Sequence, residues 1–110
     1  MTGKKEKEIN LDSPLVKALN AIGGKWKTLI LYALYEETLR FGELKTAIPN
    51  ITQKMLAQQL RELEADGLVN RVAYNEIPPR VEYNLTDYAN ELGPILGQLC
   101  EWGSRLVDKK

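Results

Sequence analysis

The sequence predicts a mainly α-helical domain with one small β-hairpin, built as a winged helix-turn-helix. Three observations carry that prediction. A strongly patterned helix near residues 52–66 follows a short helix across the turn Pro49-Asn50. Two stretches with a period of two, "LVNRVAY" and "RVEYNL", come directly after it, joined by the stiff "NEIPP". Apolar helices flank this unit on both sides. The order helix, helix, short helix, helix, hairpin, helix is that of a winged helix-turn-helix.

Each element has a local reason. Residues 1–12 are charge-mixed and read as a flexible arm ahead of a domain spanning 13–107. Ser13 is a good N-cap and Pro14 suits the first helical position, so "SPLVKALNAI" starts as a helix that Gly23-Gly24 ends. Trp26, Leu29, Ile30, Ala33 and Leu34 recur at helical spacing, and Leu31 widens their stripe, which makes residues 25–36 the central core helix. A very short extended piece at Leu39-Arg40 precedes a third helix over 41–48. Thr52 caps the fourth helix, and Asp66-Gly67 stops it, with Gly67 in the left-handed region. In the hairpin, Val72 and Tyr74 alternate with polar or small residues, as do Val81, Tyr83 and Leu85, and residues 75–80 form the wing. Pro78 and Pro79 exclude ladder bonds at its tip. Tyr88, Leu92, Ile95, Leu96, Leu99, Trp102 and Leu106 then repeat at three- and four-residue steps, in a helix that Gly93-Pro94 should kink or split.

Composition narrows the function. The chain has 110 residues, 44% of them hydrophobic, which fits one small globular domain. Lys plus Arg and Asp plus Glu are 15 each, so any basic surface is local. No apolar run is long enough to span a bilayer, and the charged start "MTGKKEKEIN" is no signal peptide; both favour the cytoplasm. With no His and only Cys100, histidine triads and an intrachain disulfide are excluded, and a Cys/His zinc site nearly so. "IGGKWKT" fails as a phosphate loop, because Trp26 stands where Ser or Thr is needed and Leu19 where the first Gly belongs. No cofactor or metal is expected, and no enzymatic activity.

The fourth helix carries the functional signal. Leu56, Leu60 and Leu63 share one side, while Lys54, Ala57, Gln58, Arg61 and Ala65 share the other, with Thr52 and Gln53 at its start. Glu62, Glu64 and Asp66 lie near the C-terminal end, against the preference of the helix dipole. From Arg40 to Arg61 there are four bases, Arg40, Lys45, Lys54 and Arg61, and one acid, Glu43. Gln pairs with adenine edges, Arg and Lys with guanine, and Thr with phosphate or a thymine methyl. Arg40, Lys45 and Arg80 could hold the backbone or minor groove. This makes Arg40, Lys45, Thr52, Gln53, Lys54, Gln58, Arg61 and Arg80 the candidate contacts to double-stranded DNA. An ordinary solvated face, or a winged helix that binds protein, stays open.

The terminal helix carries more apolar surface than one small core covers. A homodimer formed by Leu15, Leu19, Tyr88, Leu92, Ile95, Leu96, Leu99, Trp102 and Leu106 would cover it and predict a palindromic operator. A helix that only caps the core is the alternative. A cavity between the dimer helices, lined by Tyr88, Leu92 and Trp26, could hold a small effector, its identity unknown.

Five segments, "IGGKW", "LRFGELK", "IPNITQKMLAQQLRELEADGLV", "PPRVEYNLT" and "LCEWG", stand in order from about Ser13 to Gly103. Together they resemble the HxlR-type winged-helix transcriptional regulators, relatives of the MarR group. The resemblance implies a bacterial or archaeal homodimer on operator DNA. It assigns Thr52, Gln53, Lys54, Gln58 and Arg61 to the recognition helix, Pro78, Pro79 and Arg80 to the wing, and Trp26 and Trp102 to structural or dimer-forming roles. Thiol- or aldehyde-sensing members carry a cysteine just before the proline of the first helix, where this chain has Ser13, so covalent sensing there is not expected. Cys100 sits in an apolar stretch, where a buried, inert thiol is expected.

Overall fold

A computed structural model describes residues 8–106. The first seven residues of the expected arm, and residue 107 of the expected domain, lie outside them. Asn10 starts a turn rather than a loose lead: its Oδ1 accepts from Asp12 N at 2.8 Å and its carbonyl from Ser13 N at 2.9 Å.

Helix α1 (Pro14–Ile22) begins as the sequence predicts, with Ser13 Oγ accepting from Val16 N. Of its two terminal glycines only Gly24 has a positive φ, 79°, and Gly23 ends the helix in extended geometry. None of the residues of α1 is buried. A helix of this length is marginal alone and needs a packed face to persist.

Helix α2 (Lys25–Leu34) supplies the centre, with Ile30, Leu31 and Leu34 at 0% exposure. Each such side chain contributes about 1.5–3 kcal/mol through burial. Helix α3 (Phe41–Ala47) adds Leu44, and α4 (Gln53–Ala65) adds Leu56, Leu60 and Leu63, the three leucines expected to face inward. The turn between α3 and α4 uses Asn50 at φ 72°, a conformation Asn tolerates.

Helix α4 is closed at both ends. Thr52 Oγ1 accepts from Met55 N at 3.0 Å. Gly67, at φ 77°, donates to the Glu64 carbonyl, and Leu68 N donates to the Leu63 carbonyl at 2.9 Å. These two bonds make a Schellman stop, and buried Leu68 and Leu63 supply its apolar contact. Thr86 fastens this corner from outside, with its hydroxyl donating to the Gly67 carbonyl at 3.0 Å.

The sheet has three antiparallel strands, in the order β1 (Leu39–Arg40), β3 (Arg80–Leu85), β2 (Val69–Tyr74). The two-stranded hairpin of the sequence reading is therefore incomplete. The extended piece at Leu39-Arg40 pairs with the free edge of β3, placing Leu39 opposite Tyr83 and Arg40 opposite Glu82. The parity read for β2 also changes. Val69, Arg71 and Ala73 stand opposite Leu85, Tyr83 and Val81, so they share the inward face. Val72 and Tyr74 lie on the outer face with Glu82 and Arg80.

The terminal segment splits into α5 (Asp87–Asn90) and α6 (Leu92–Ser104). The break falls at Glu91, three residues before Pro94, because the proline ring crowds the Asn90 carbonyl and offers it no donor. Glu91 keeps helical dihedrals, φ −62° and ψ −19°, so the break is a kink. Among the described residues no helix is long and apolar enough to cross a membrane.

Candidate nucleic-acid interface

The leucines of α4 are fixed in the core, which turns its other side outward. Thr52, Gln53, Lys54, Gln58 and Arg61 are exposed, and Ala57 is half-buried at the edge of the stripe. Arg40 and Lys45 are exposed on the preceding elements. Arg40 also opens α3, with Glu43 Oε1 accepting from its backbone N–H at 2.8 Å. That bond occupies the one acid counted against the basic stretch.

Glu62 is neutralised from behind. Lys27 of α2, with 14% side-chain exposure, places Nζ 2.7 Å from Glu62 Oε1. Gln58 Nε2 donates to Glu62 Oε2 at 3.3 Å. The hydrogen bond from Lys27, then that from Gln58, then the Lys27 charge hold the Glu62 carboxyl below its ordinary 4.5. Lys27 escaped the sequence reading because only the packing of α2 on α4 brings it there.

Arg80 is placed differently from the expectation. It begins β3 rather than belonging to the tip, which runs over residues 75–79. Its guanidinium lies 4.0 Å from the centre of the Tyr74 ring, 2.8 Å from Glu76 and 3.4 Å from Glu82. Two carboxylates and an aromatic face therefore occupy this cation. Arg71 was also missed; the inward parity of β2 puts it beside α4, where it shares a cleft with Arg61.

The residues expected at a dimer interface divide into two groups. Leu15, Leu19, Tyr88, Ile95, Leu99, Trp102 and Leu106 are each more than half exposed. Leu96, by contrast, is buried in the core of its own chain, and Leu92 packs against that core, because both lie on the side of α6 turned to the core. Beside them lies a groove of about 210 Å³ lined by Ala21, Ile22, Tyr88 and Leu92 among others. Trp26 is not part of it and packs on the core instead.

Cys100 is exposed, contrary to the expectation of a buried thiol. Leu96 takes the last core position on that side, and one turn later the helix has passed the end of the core. Cys100 lines a second apolar groove with Leu29, Tyr32 and Leu99. The neighbouring Cys100, and then burial, raise the Tyr32 phenol above its ordinary 10.0.

Known proteins share both the sequence and this arrangement. The family model described as HxlR-like helix-turn-helix matches residues 21–110. The uncharacterized HTH-type transcriptional regulator YtcD of Bacillus subtilis is 50% identical over 106 residues, covering 96% of this chain and 81% of that one. The structure of the redox regulator HypR in its oxidized form superimposes with a TM-score of 0.82 at 46% identity, over 88% of this chain and all of that one. A structure assigned to the MarR family, from Porphyromonas gingivalis W83, gives 0.86 at 36% identity, over 93% and 100%. The chain belongs to the HxlR-like helix-turn-helix family, a MarR-like group with a winged-helix fold.

Proposed function

We propose that this chain is a DNA-binding transcriptional regulator that acts as a homodimer on a palindromic operator. Helix α4 enters the major groove, and the wing rests on the flanking backbone or minor groove. One observation carries the reading. Lys54 and Arg61 stand exposed on α4 with no ion pair among the described residues, whereas Glu62, the acid next to Arg61, is tied back to Lys27. In a chain of zero net charge, that arrangement concentrates positive charge on one face. Gln53 and Gln58 add paired donors and acceptors for base edges. Arg40 and Lys45 fit phosphate contacts, and the names of the relatives point the same way.

The dimer follows from surface economy. Helix α1 packs only Ala21 and Ile22 against the core and has no fully buried residue, while α1, α5 and α6 leave Leu15, Leu19, Tyr88, Ile95, Leu99 and Trp102 exposed. A two-fold partner would cover them and set two copies of α4 about one helical turn of DNA apart.

The test is a gel-shift titration with duplexes tiled over the promoter next to the protein's own gene. Replacing Lys54 and Arg61 together by Ala should abolish the specific shift while light scattering still reports the dimer. Undiminished specific binding by that double variant would remove α4 from the interface.

A further inference from the structure

The cleft between α4 and the hairpin has a role that the reading above leaves unassigned. We propose that Arg61 and Arg71 form a seat for one phosphodiester of the bound duplex, an inference that rests on the DNA-binding reading.

Arg71 occupies the inward parity of β2, opposite Tyr83. Val69 on the same face is buried, whereas Arg71 is exposed and its side chain lines an open cleft. That cleft is about 480 Å³ and is walled by Ala57, Leu60, Arg61, Glu64, Arg71 and Tyr83. Neither arginine makes an ion pair within 4.0 Å among the described residues, while Lys27, Arg80 and Arg105 all do. Two guanidiniums and one carboxylate, Glu64, border this cleft, which leaves it a net positive charge for an anion. A phosphodiester suits the two guanidiniums, since each planar fork offers parallel N–H donors to paired oxygens. Tyr83 is only 8% exposed and lines the same cleft with its hydroxyl-bearing ring. It supplies one more donor. The small Ala57 leaves room for the backbone of the duplex. Such a contact sets register and carries no sequence information.

The test uses the full chain and two fluorescein-labelled duplexes, the promoter next to its own gene and a shuffled version, with anisotropy measured across a salt series. Arg71→Ala should weaken both duplexes by about tenfold near 0.1 M salt and flatten the log–log salt slope by about one per bound chain. Arg71→Lys should restore the slope but only part of the affinity. Glu64→Gln, which removes the one acid of the cleft, should tighten both. An Arg71→Ala variant with unchanged affinity and slope, while the wild type binds, overturns the seat and leaves the DNA-binding reading standing. A loss of preference between the two duplexes at constant slope also overturns it, because that marks a base contact. A wild-type chain that binds neither duplex overturns both.

Discussion

Lys27 Nζ lies 2.7 Å from Glu62 Oε1, and this contact from α2 lets α4 present a more basic face than its own sequence contains. The same carboxylate accepts from Gln58, so it also fixes one amide of the exposed stripe. One acid of the exposed side is thus both paired with a cation and engaged in holding a neighbouring amide.

Removing Lys27 should therefore weaken DNA binding without removing any contact to DNA. Lys27→Met leaves the Glu62 charge free beside Arg61. A loss of affinity of about two- to fivefold is expected, the size of a surface ion pair's effect. Lys27→Met with Glu62→Gln should recover most of it, and fluorescence anisotropy on the promoter duplex reads both.

The pair also has a pH signature. A carboxyl whose pKa is lowered on folding stabilises the fold above its unfolded value, here 4.5, and that contribution fades as the pH falls towards and through the folded value. Thermal melts should show wild-type stability declining more steeply below about pH 5 than that of Glu62→Gln. Parallel decline of the two would mean the contact adds nothing to the fold.

At the wing, Arg80 is held by Glu76 and Glu82 over Tyr74. Glu76→Gln removes the nearer carboxylate and should release the cation for the backbone of the duplex. A gain of about two- to fivefold in affinity is expected, growing at low salt. A variant that binds no better at low salt would show that Arg80 takes no part.

Adjacent residues of α6 should behave in opposite ways. Ile95 is 57% exposed and Leu96 only 4%. Ile95→Glu should leave the fold intact and convert the dimer to a monomer by light scattering. Leu96→Ala should cost about 2–5 kcal/mol of stability through a core cavity. A dimeric Ile95→Glu protein would place the two-fold interface elsewhere.

Gly93 lies against the ring of Tyr35, which a Cβ at this position would overlap. Gly93→Ala should therefore destabilise the chain by about 1–3 kcal/mol, the usual cost of overpacking. Tyr35→Leu should relieve part of that loss, which a double-mutant cycle by chemical denaturation would reveal.

Much of this architecture was legible because its signals are local. The leucines at 56, 60 and 63 set the buried face of α4, and Ser13, Thr52 and Gly67 marked helix ends through bonds made within a few residues. What was hidden depends on distant partners. Two residues of β1 have no period to read, and their strand exists only because the edge of β3 is free. Val72 and Tyr74 looked like the inward face of β2, yet the register with β3 turns Arg71 inward. The ion pair of Glu62 with Lys27 likewise depends on the packing of α2 against α4. The exposure of Cys100 needs the length of the core, which no helical wheel contains.

The two-residue strand β1 has one further consequence. Arg40 is at once its last residue and the residue that opens α3, and the pairing of Arg40 with Glu82 ties that junction to the wing. The wing is thus riveted near its base to the front of the helical hairpin and cannot swing as a separate flap. Only residues 75–79 project past the paired strands. In a symmetric pair of such chains, the four points that meet DNA would move as two stiff calipers, and any signal that changes their span must act at the joint between them.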